Sequence, residues 1–546
     1  MVHLQLAHYS FPVRMLLYAI IFVSGAAILA LELLASRIMT PYFGVSLYIW
    51  TGILSITLVS LALGYWLGGR LAAKQGTHPA RLLQLYTVMP ALAALAIVAA
   101  CLVYPYVFAD LARTSLVGGA FAACLVLLFV PLVAASAMNP LLVAIRARGR
   151  SAGTGDAGAG YVFFLSTLGS VAGVLITAFG LIPYVSNFAA VLNVAIVLAA
   201  LTLAGVIFTR EKIRASGLLM ATAIAAGAGA AALLLGAAAY TGAQGPYSWL
   251  GTQWRVEGSY RSLFGTVKVL RSDPEPGTDR YVRVYFQDGL TQNSVDSNNR
   301  SASFYTYALE GLAHAHRPGL RSALVLGLGA GMVPMTLARR GAAVEVVDID
   351  PVAPQVAQKH FGFDPVAVRT HEADARTFLR NCRGGYDVVV IDLFHGDGTP
   401  DYLVTREFFR DLRTCLGEKG VALFNTFADI TQPLAYAHFL VTLKSELPHL
   451  ALYRPQTTGT HVNSFVVAAA HPLAPPAQVT FDYVPQRHER ALWNMLASPV
   501  PLTPAMFADG RIVTDAVNPA AYDFARMQMI YRRDVVQGAP AALLVN

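Results

Sequence analysis

Three carboxylates and a run of glycines in the second half of the sequence have the types and spacing to bind and transform a small molecule. Gly327, Gly329 and Gly331 follow the apolar run Ala323 to Leu326 directly. Glycines at such a turn let the backbone approach a ligand without a Cβ in the way. Asp348 closes the next β-branched run, about 20 residues on, where an acid can accept both hydroxyls of a ribose. Asp374, with Ala375, follows a third strand-like run, at the place an adenine edge would lie; an N-cap for the helix after it is an equal reading. Asp392 ends a fourth run, YDVVVI, beside the reactive end of such a nucleoside. A carboxylate there can hold an amine and take its proton.

These residues need a doubly wound α/β sheet to bring them together. Strand, glycine turn, helix and strand succeed one another from Arg321 to Pro351, with helices expected over Val333 to Arg340 and Val352 to Phe361. Further strands are expected at Val366 to His371, Val421 to Asn425 and Val462 to Ala468. Met332 stands where a dinucleotide fingerprint has its third glycine, and no lysine marks a phosphate loop, so an adenosyl thioether or sulfonium suits the turn better than NAD. Ahead of this core, Ser262 to Leu270 and Arg280 to Phe286 read as a small β-hairpin, and Tyr240 to Gly258 as a linker at a membrane surface.

The first half is of another kind. The 546 residues are 55% hydrophobic and 13% charged, too apolar for a wholly soluble protein. Seven runs near 13–36, 47–69, 83–108, 117–145, 160–182, 187–208 and 217–239 are long enough to cross a bilayer. Pro131 and Asn139-Pro140 predict a kink or break in the fourth. Residues 1–240 hold twelve Lys or Arg and four Asp or Glu, while the remainder holds 28 of each, so the net charge of +8 gives no support to a nucleic-acid partner. The chain therefore divides into a multi-pass transmembrane domain (1–240), a linker with a small β element (241–300) and an adenosyl-nucleoside-binding α/β domain (301–546). Basic residues gather after the second (Arg70, Lys74, Arg81), fourth (Arg146, Arg148, Arg150) and sixth spans (Arg210, Lys212, Arg214), which predicts those loops and the N-terminus to be cytoplasmic. Seven crossings would then put the α/β domain outside, whereas an adenosyl donor is made inside; the sequence leaves the side open. The four cysteines are scattered and suggest neither a metal site nor a disulfide framework. Glu310, His314 and His316 lack a third ligand on one helix face, so no metal is expected there.

The pieces QDGLTQ, LVLGLGAGM, VVDID, EADARTFL and YDVVVIDLF, in this order, resemble the polyamine aminopropyltransferases, or spermidine synthases. FVSGAAILALELLASR, LALGYWLGGRLA and DLFHGDGTPDYLVTREFF resemble the form fused to a multi-pass segment in the bacterial inner membrane. The resemblance implies a Rossmann-like, methyltransferase-type fold with a small N-terminal β element. It also implies transfer of an aminopropyl group from decarboxylated S-adenosylmethionine to an amine such as a polyamine, with no metal. It matches the catalytic aspartate to Asp392, the ribose acid to Asp348, the adenine-side acid to Asp374 and a cofactor-contacting glutamine to Gln292. Related soluble enzymes are dimers or tetramers. The sequence departs from that family at three places, one being an Asp-Glu pair ahead of a Tyr-His-Glu run, which has no clear match within Ser301 to Glu310. The acid inside the glycine turn is replaced by Ala330, and the second aspartate of the strand-four motif by His395, with Asp397 nearby. His395 could itself serve as a base, and Asp397 could substitute for the missing acid. Loss of the acid at Ala330 keeps methyl transfer from intact S-adenosylmethionine open. A transporter or sensor that binds a polyamine or nucleoside also stays open, with Glu32, Asn139 and Asn193 as polar groups in the spans.

Overall fold

A computed structural model describes residues 10–45, 47–74, 79–147, 155–209, 216–237, 245–273, 279–394, 400–429, 433–455, 461–524, 526, 532 and 538–546. Contacts divide the chain into two compact units, one formed by 1–43, 47–244 and 536–546 and the other by 44–46 and 245–535.

The first unit is helical. Among the described residues it holds seven helices long and apolar enough to cross a membrane: Phe11–Phe43, Ile49–Lys74, Ala80–Thr114, Val117–Ala147, Gly158–Leu181, Asn187–Thr209 and Gly217–Leu235. Small residues bring them close. A Cβ built on Gly169 would lie 1.9 Å from the Phe22 carbonyl oxygen, and one on Gly173 2.3 Å from that of Ala26. The Ser170 hydroxyl donates to the Gly25 carbonyl at 2.9 Å in the same seam. Glycines 64 and 68 of the second helix meet Ser136 and Ala137 of the fourth in the same way. Small residues at such seams let helix backbones approach closely. Where a kink or break was expected, the fourth span carries a π turn and stays one helix. A π turn over Leu125–Phe129 joins Leu116–Cys124 to Val130–Ala147, and the helix runs on through Pro140. The π turn immediately precedes Pro131, which has no N–H to give to an α-helical bond. The last residues group with this unit: the Phe188 amide donates to the Asn546 carbonyl at 2.9 Å.

The second unit contains two sheets. The small β element is larger than the sequence predicted. It is a five-stranded antiparallel sheet, in the order β1 (Tyr247–Trp249), β2 (Thr252–Ser262), β3 (Gly265–Ser272), β4 (Val282–Gln287) and β5 (Leu290–Asp296). The stretch expected to be a linker up to Gly258 thus supplies β1 and most of β2; its residues 240–244 lie outside the described residues. Trp249 is buried against Trp254 and Phe286, so both tryptophans serve this sheet.

The second sheet has seven strands: β6 (Ser322–Leu326), β7 (Ala343–Asp348), β8 (Val368–Glu372), β9 (Tyr386–Ile391), β10 (Leu416–Asp429), β11 (His449–Tyr453) and β12 (His461–Ala469). Their order is β11-β12-β10-β9-β6-β7-β8. The pairs among β6 to β10 are parallel, and β12 is antiparallel to both neighbours. β6 and β9 are the strands between which the order reverses, and a crevice opens there beyond the carboxyl ends. Helices cover both faces. Phe304–His316, Met332–Arg339 and Gln486–Ala497 pack on one, and Ala375–Arg380, Arg406–Cys415 and Pro433–Glu446 on the other. The five-stranded sheet packs Val267, Val269 and Tyr285 against Ala330, Met332 and Phe361, which seats it on the glycine turn and its helix.

Two of the scattered cysteines do pair: a disulfide joins Cys382 to Cys415, with Cα atoms 5.5 Å apart, while Cys101 and Cys124 in the spans are free. Cys382 lies just past the helix Ala375–Arg380 and Cys415 ends the neighbouring helix Arg406–Cys415, a proximity that a separation of 33 residues conceals.

Candidate active site

The glycine turn owes its shape to what surrounds it. Gly327, Gly329 and Gly331 all have positive φ, at 95°, 51° and 77°. At Gly327 a Cβ would lie 2.3 Å from the Asp392 carbonyl oxygen, so the chain requires glycine there. At Gly329 a Cβ would meet nothing within 4 Å. Its bare backbone lines a cavity of about 370 Å³, within the range of small-molecule sites. Gly331 faces Phe363 instead and caps the helix after the turn.

Asp348 ends β7 opposite this turn. Its Oδ2 accepts the Leu328 amide at 2.8 Å and its Oδ1 the Asp350 amide at 2.8 Å. The carboxylate thus holds the turn and still lines the cavity. Burial pushes its carboxyl above the usual range, against the pull of these backbone donors. Asp350 also lines the cavity; burial pushes it up to about 6, opposed by the Val352 amide and the Ser262 hydroxyl.

Asp374 is an N-cap that also faces the cavity. It caps the helix Ala375–Arg380 by accepting the Thr377 amide at 2.8 Å, and together with Ala375 it lines the cavity. The Tyr402 hydroxyl also bonds to it.

Asp392 follows β9 and reaches the same cavity. Its amide donates to the Leu326 carbonyl at 2.9 Å, which fixes it against β6. The Asn425 side-chain amide donates to its Oδ1 at 2.8 Å. Burial pushes its carboxyl up to about 6, opposed by that bond.

Of the residues expected from sequence, Gln292, Gly327, Gly329, Asp348, Asp374, Ala375 and Asp392 line one cavity, and Gly331 stands behind it. His395 and Asp397 lie outside the described residues. Tyr305, Asn425, Asn463 and Tyr402 were missed, and they line it too. Asn425 carried a readable signal: it is a polar residue at the end of the apolar run Val421 to Phe424, as Asp392 is at the end of Tyr386 to Ile391. Among the described residues no group of three or more His, Cys, Asp or Glu side chains could hold a metal. Glu310 pairs with Arg340 at 2.8 Å, and His316 bonds to the Tyr453 hydroxyl at 2.8 Å.

A glycine turn, a carboxylate facing it and a second buried carboxylate across the crevice are thus in place, in a segment that is similar to known proteins. Residues 302–449 match the spermine/spermidine synthase domain. The matching segment begins just before the helix Phe304–His316 and ends at the start of β11. Over 148 residues the chain is 36% identical to the polyamine aminopropyltransferase of Vibrio vulnificus, a match that covers 26% of this chain and 48% of that protein. Over 138 residues it is 35% identical to the N-terminal histidine N-methyltransferase of Emericella nidulans, covering 24% of each. Among solved structures, a probable spermidine synthase from Corynebacterium glutamicum superposes with a TM-score of 0.38 at 16% identity, over 48% of this chain and 97% of that one. The chain spans about half the length or less of the first curated relatives it matches.

Proposed function

We propose that this chain is a membrane-embedded aminopropyltransferase, which moves the aminopropyl group of decarboxylated S-adenosylmethionine to an amine acceptor. One observation carries the reading: within a synthase domain, Asp392 opens on the cavity that the glycine turn and Asp348 also line. The residues fit such a donor. The open backbone at Gly329 and the carboxylate of Asp348 suit a ribose, and Asp374 with Ala375 suits the adenine edge. Gln292 lines the same cavity on the side of the five-stranded sheet. Bound there, the donor supplies a sulfonium leaving group, so positioning provides much of the catalysis. Asp392 holds the incoming amine and takes its proton. With a carboxyl at about 6, it is mostly ionised at neutral pH yet basic enough to accept that proton. His395 and Asp397 follow Asp392 in the sequence, and their polar side chains would serve the acceptor.

A second reading, methyl transfer from intact S-adenosylmethionine, is favoured by one feature. Position 330 in the glycine turn is a buried alanine, with no carboxylate to hold an aminopropyl nitrogen. Full-length protein in detergent, offered each donor with a panel of amines and followed by mass spectrometry, separates the two. An acceptor heavier by an aminopropyl group, formed only with the decarboxylated donor, is the expected result. A methylated acceptor would establish the second reading, and turnover with neither donor would sink both.

The seven apolar helices support a multi-pass protein of the bacterial inner membrane. The basic loops after the second, fourth and sixth helices favour the non-cytoplasmic face for the α/β unit, and the Cys382–Cys415 disulfide favours it independently. Fusion after residue 245 of a phosphatase that is active only outside the cytoplasm should therefore give active enzyme. A fluorescent fusion that folds only in the cytoplasm should stay dark, and the reverse pair of results would overturn this orientation.

A further inference from the structure

We propose that Asn463 and Asn425 form a two-amide relay that orients Asp392 and holds it as a carboxylate, so that both asparagines are positioning residues. The proposal rests on the reading of Asp392 as the base that accepts the amine's proton. The Asn425 Nδ2 donates to Asp392 Oδ1 at 2.8 Å, and the Asn463 Nδ2 donates to Asn425 Oδ1 at 2.9 Å. The two asparagines sit on neighbouring antiparallel strands. Asn425 is directly opposite Phe465, and Asn463 is opposite Phe427, so they are diagonal neighbours on one face of the sheet. Both line the cavity.

The chemistry of an amide makes the second asparagine necessary. A lone Asn425 could turn either its NH2 or its oxygen towards Asp392. The oxygen would repel a carboxylate and stabilise a protonated acid. Because Asn463 donates to that oxygen, the oxygen is committed, and the NH2 faces Asp392. Asn425 is 3% exposed and Asn463 half-buried beside it. A charge-assisted bond of this kind favours the ionised form.

The groups facing Asp392 from other elements are few. Tyr305, on the helix Phe304–His316, is the ionisable side chain coupled to it, and its hydroxyl accepts the Asn293 amide at 3.0 Å. From β6 the neighbour is the uncharged Leu326–Gly327 backbone, and from β10 it is Asn425. His395 and Asp397 of the same loop lie outside the described residues. The relay thus supplies the donor that counters the burial of Asp392.

The test uses full-length protein with Asn425→Leu, Asn463→Ala and Asn463→Gln. Two quantities are read against pH: kcat/KM, and the infrared carboxyl band that disappears in Asp392→Asn. In Asn425→Leu the acid limb and the band should both move up by about one pH unit, since a bond to a charged group is worth roughly that much. Asn463→Ala should move both in the same direction by less, with the rate recovering above the limb, and Asn463→Gln should restore them. A rate that falls equally at every pH with the band unmoved would overturn the relay, and so would no change in either. Should the band move in a protein that turns over no donor, the relay stands and the proposed function fails.

Discussion

Asp392→Asn should lower turnover by ~10²–10⁴-fold, the usual worth of a positioned base. Affinity for an adenosyl thioether should stay within about threefold, because in the proposed arrangement Asp392 faces the amine and not the nucleoside. The substitution keeps size and shape, and its remaining oxygen can still accept the Asn425 amide. Calorimetry with the thioether and single-turnover rates together check the split, and wild-type turnover would remove Asp392 from the mechanism. The same variant has a thermal signature. The carboxyl of Asp392 stands at about 6 in the folded chain, above the ordinary value of 3.8. The folded state therefore holds its proton more tightly than the unfolded state does. Stability falls as pH rises from about 4 to about 6 and then levels off. Asp392→Asn removes that loss, so it should raise Tm above pH 6 and leave it unchanged near pH 4.

Asp348→Ala should cost more structure and as much function. The Leu328 and Asp350 amides would both lose their acceptor, and each unsatisfied buried donor costs ~1–3 kcal/mol. The turn that these bonds hold also lines the cavity. Donor affinity should fall by at least ~100-fold, the loss expected when a charged acceptor of two ribose hydroxyls is removed. Asp348→Asn separates the two effects. One oxygen remains for one of the two backbone amides, so Tm should recover partly while donor affinity stays low. Equal affinity in wild type and Asp348→Ala, measured by calorimetry, would show that the nucleoside does not sit opposite the glycine turn.

The positions of Gly327, Asp348 and Asp392 were legible because each follows or ends an apolar run at the place where an α/β sheet presents residues to its crevice. The seven apolar runs were legible for a similar reason, since length and composition alone decide whether a helix can cross a bilayer. What escaped depends on pairing between distant segments. β1 and β2 were hidden by their glycines and by tryptophans whose packing partner, Phe286, is 37 residues from Trp249. β11 is a five-residue strand with Pro448 before it and Pro455 soon after, a pattern that reads as loop. The Asn425–Asn463 contact is set by antiparallel register across 38 residues, and no local pattern announces it. Asp374 was ambiguous in the sequence because the two readings are compatible: a cap uses one carboxylate oxygen on a backbone amide and leaves the side chain in the crevice.

The wider turn at Leu125–Phe129 has a consequence for how the fourth helix meets the second. An α-helix advances by about 100° per residue, so one residue more or less upstream swings everything beyond it by nearly a third of a circle. Ser136 and Ala137 lie beyond that turn, and they face glycines 64 and 68 with no room to spare. Those five residues therefore act as a phase adjuster. They bring the small side chains of the fourth helix round to the second, so a single-residue deletion among them would turn the seam away from the second helix even though Ser136, Ala137 and both glycines remained.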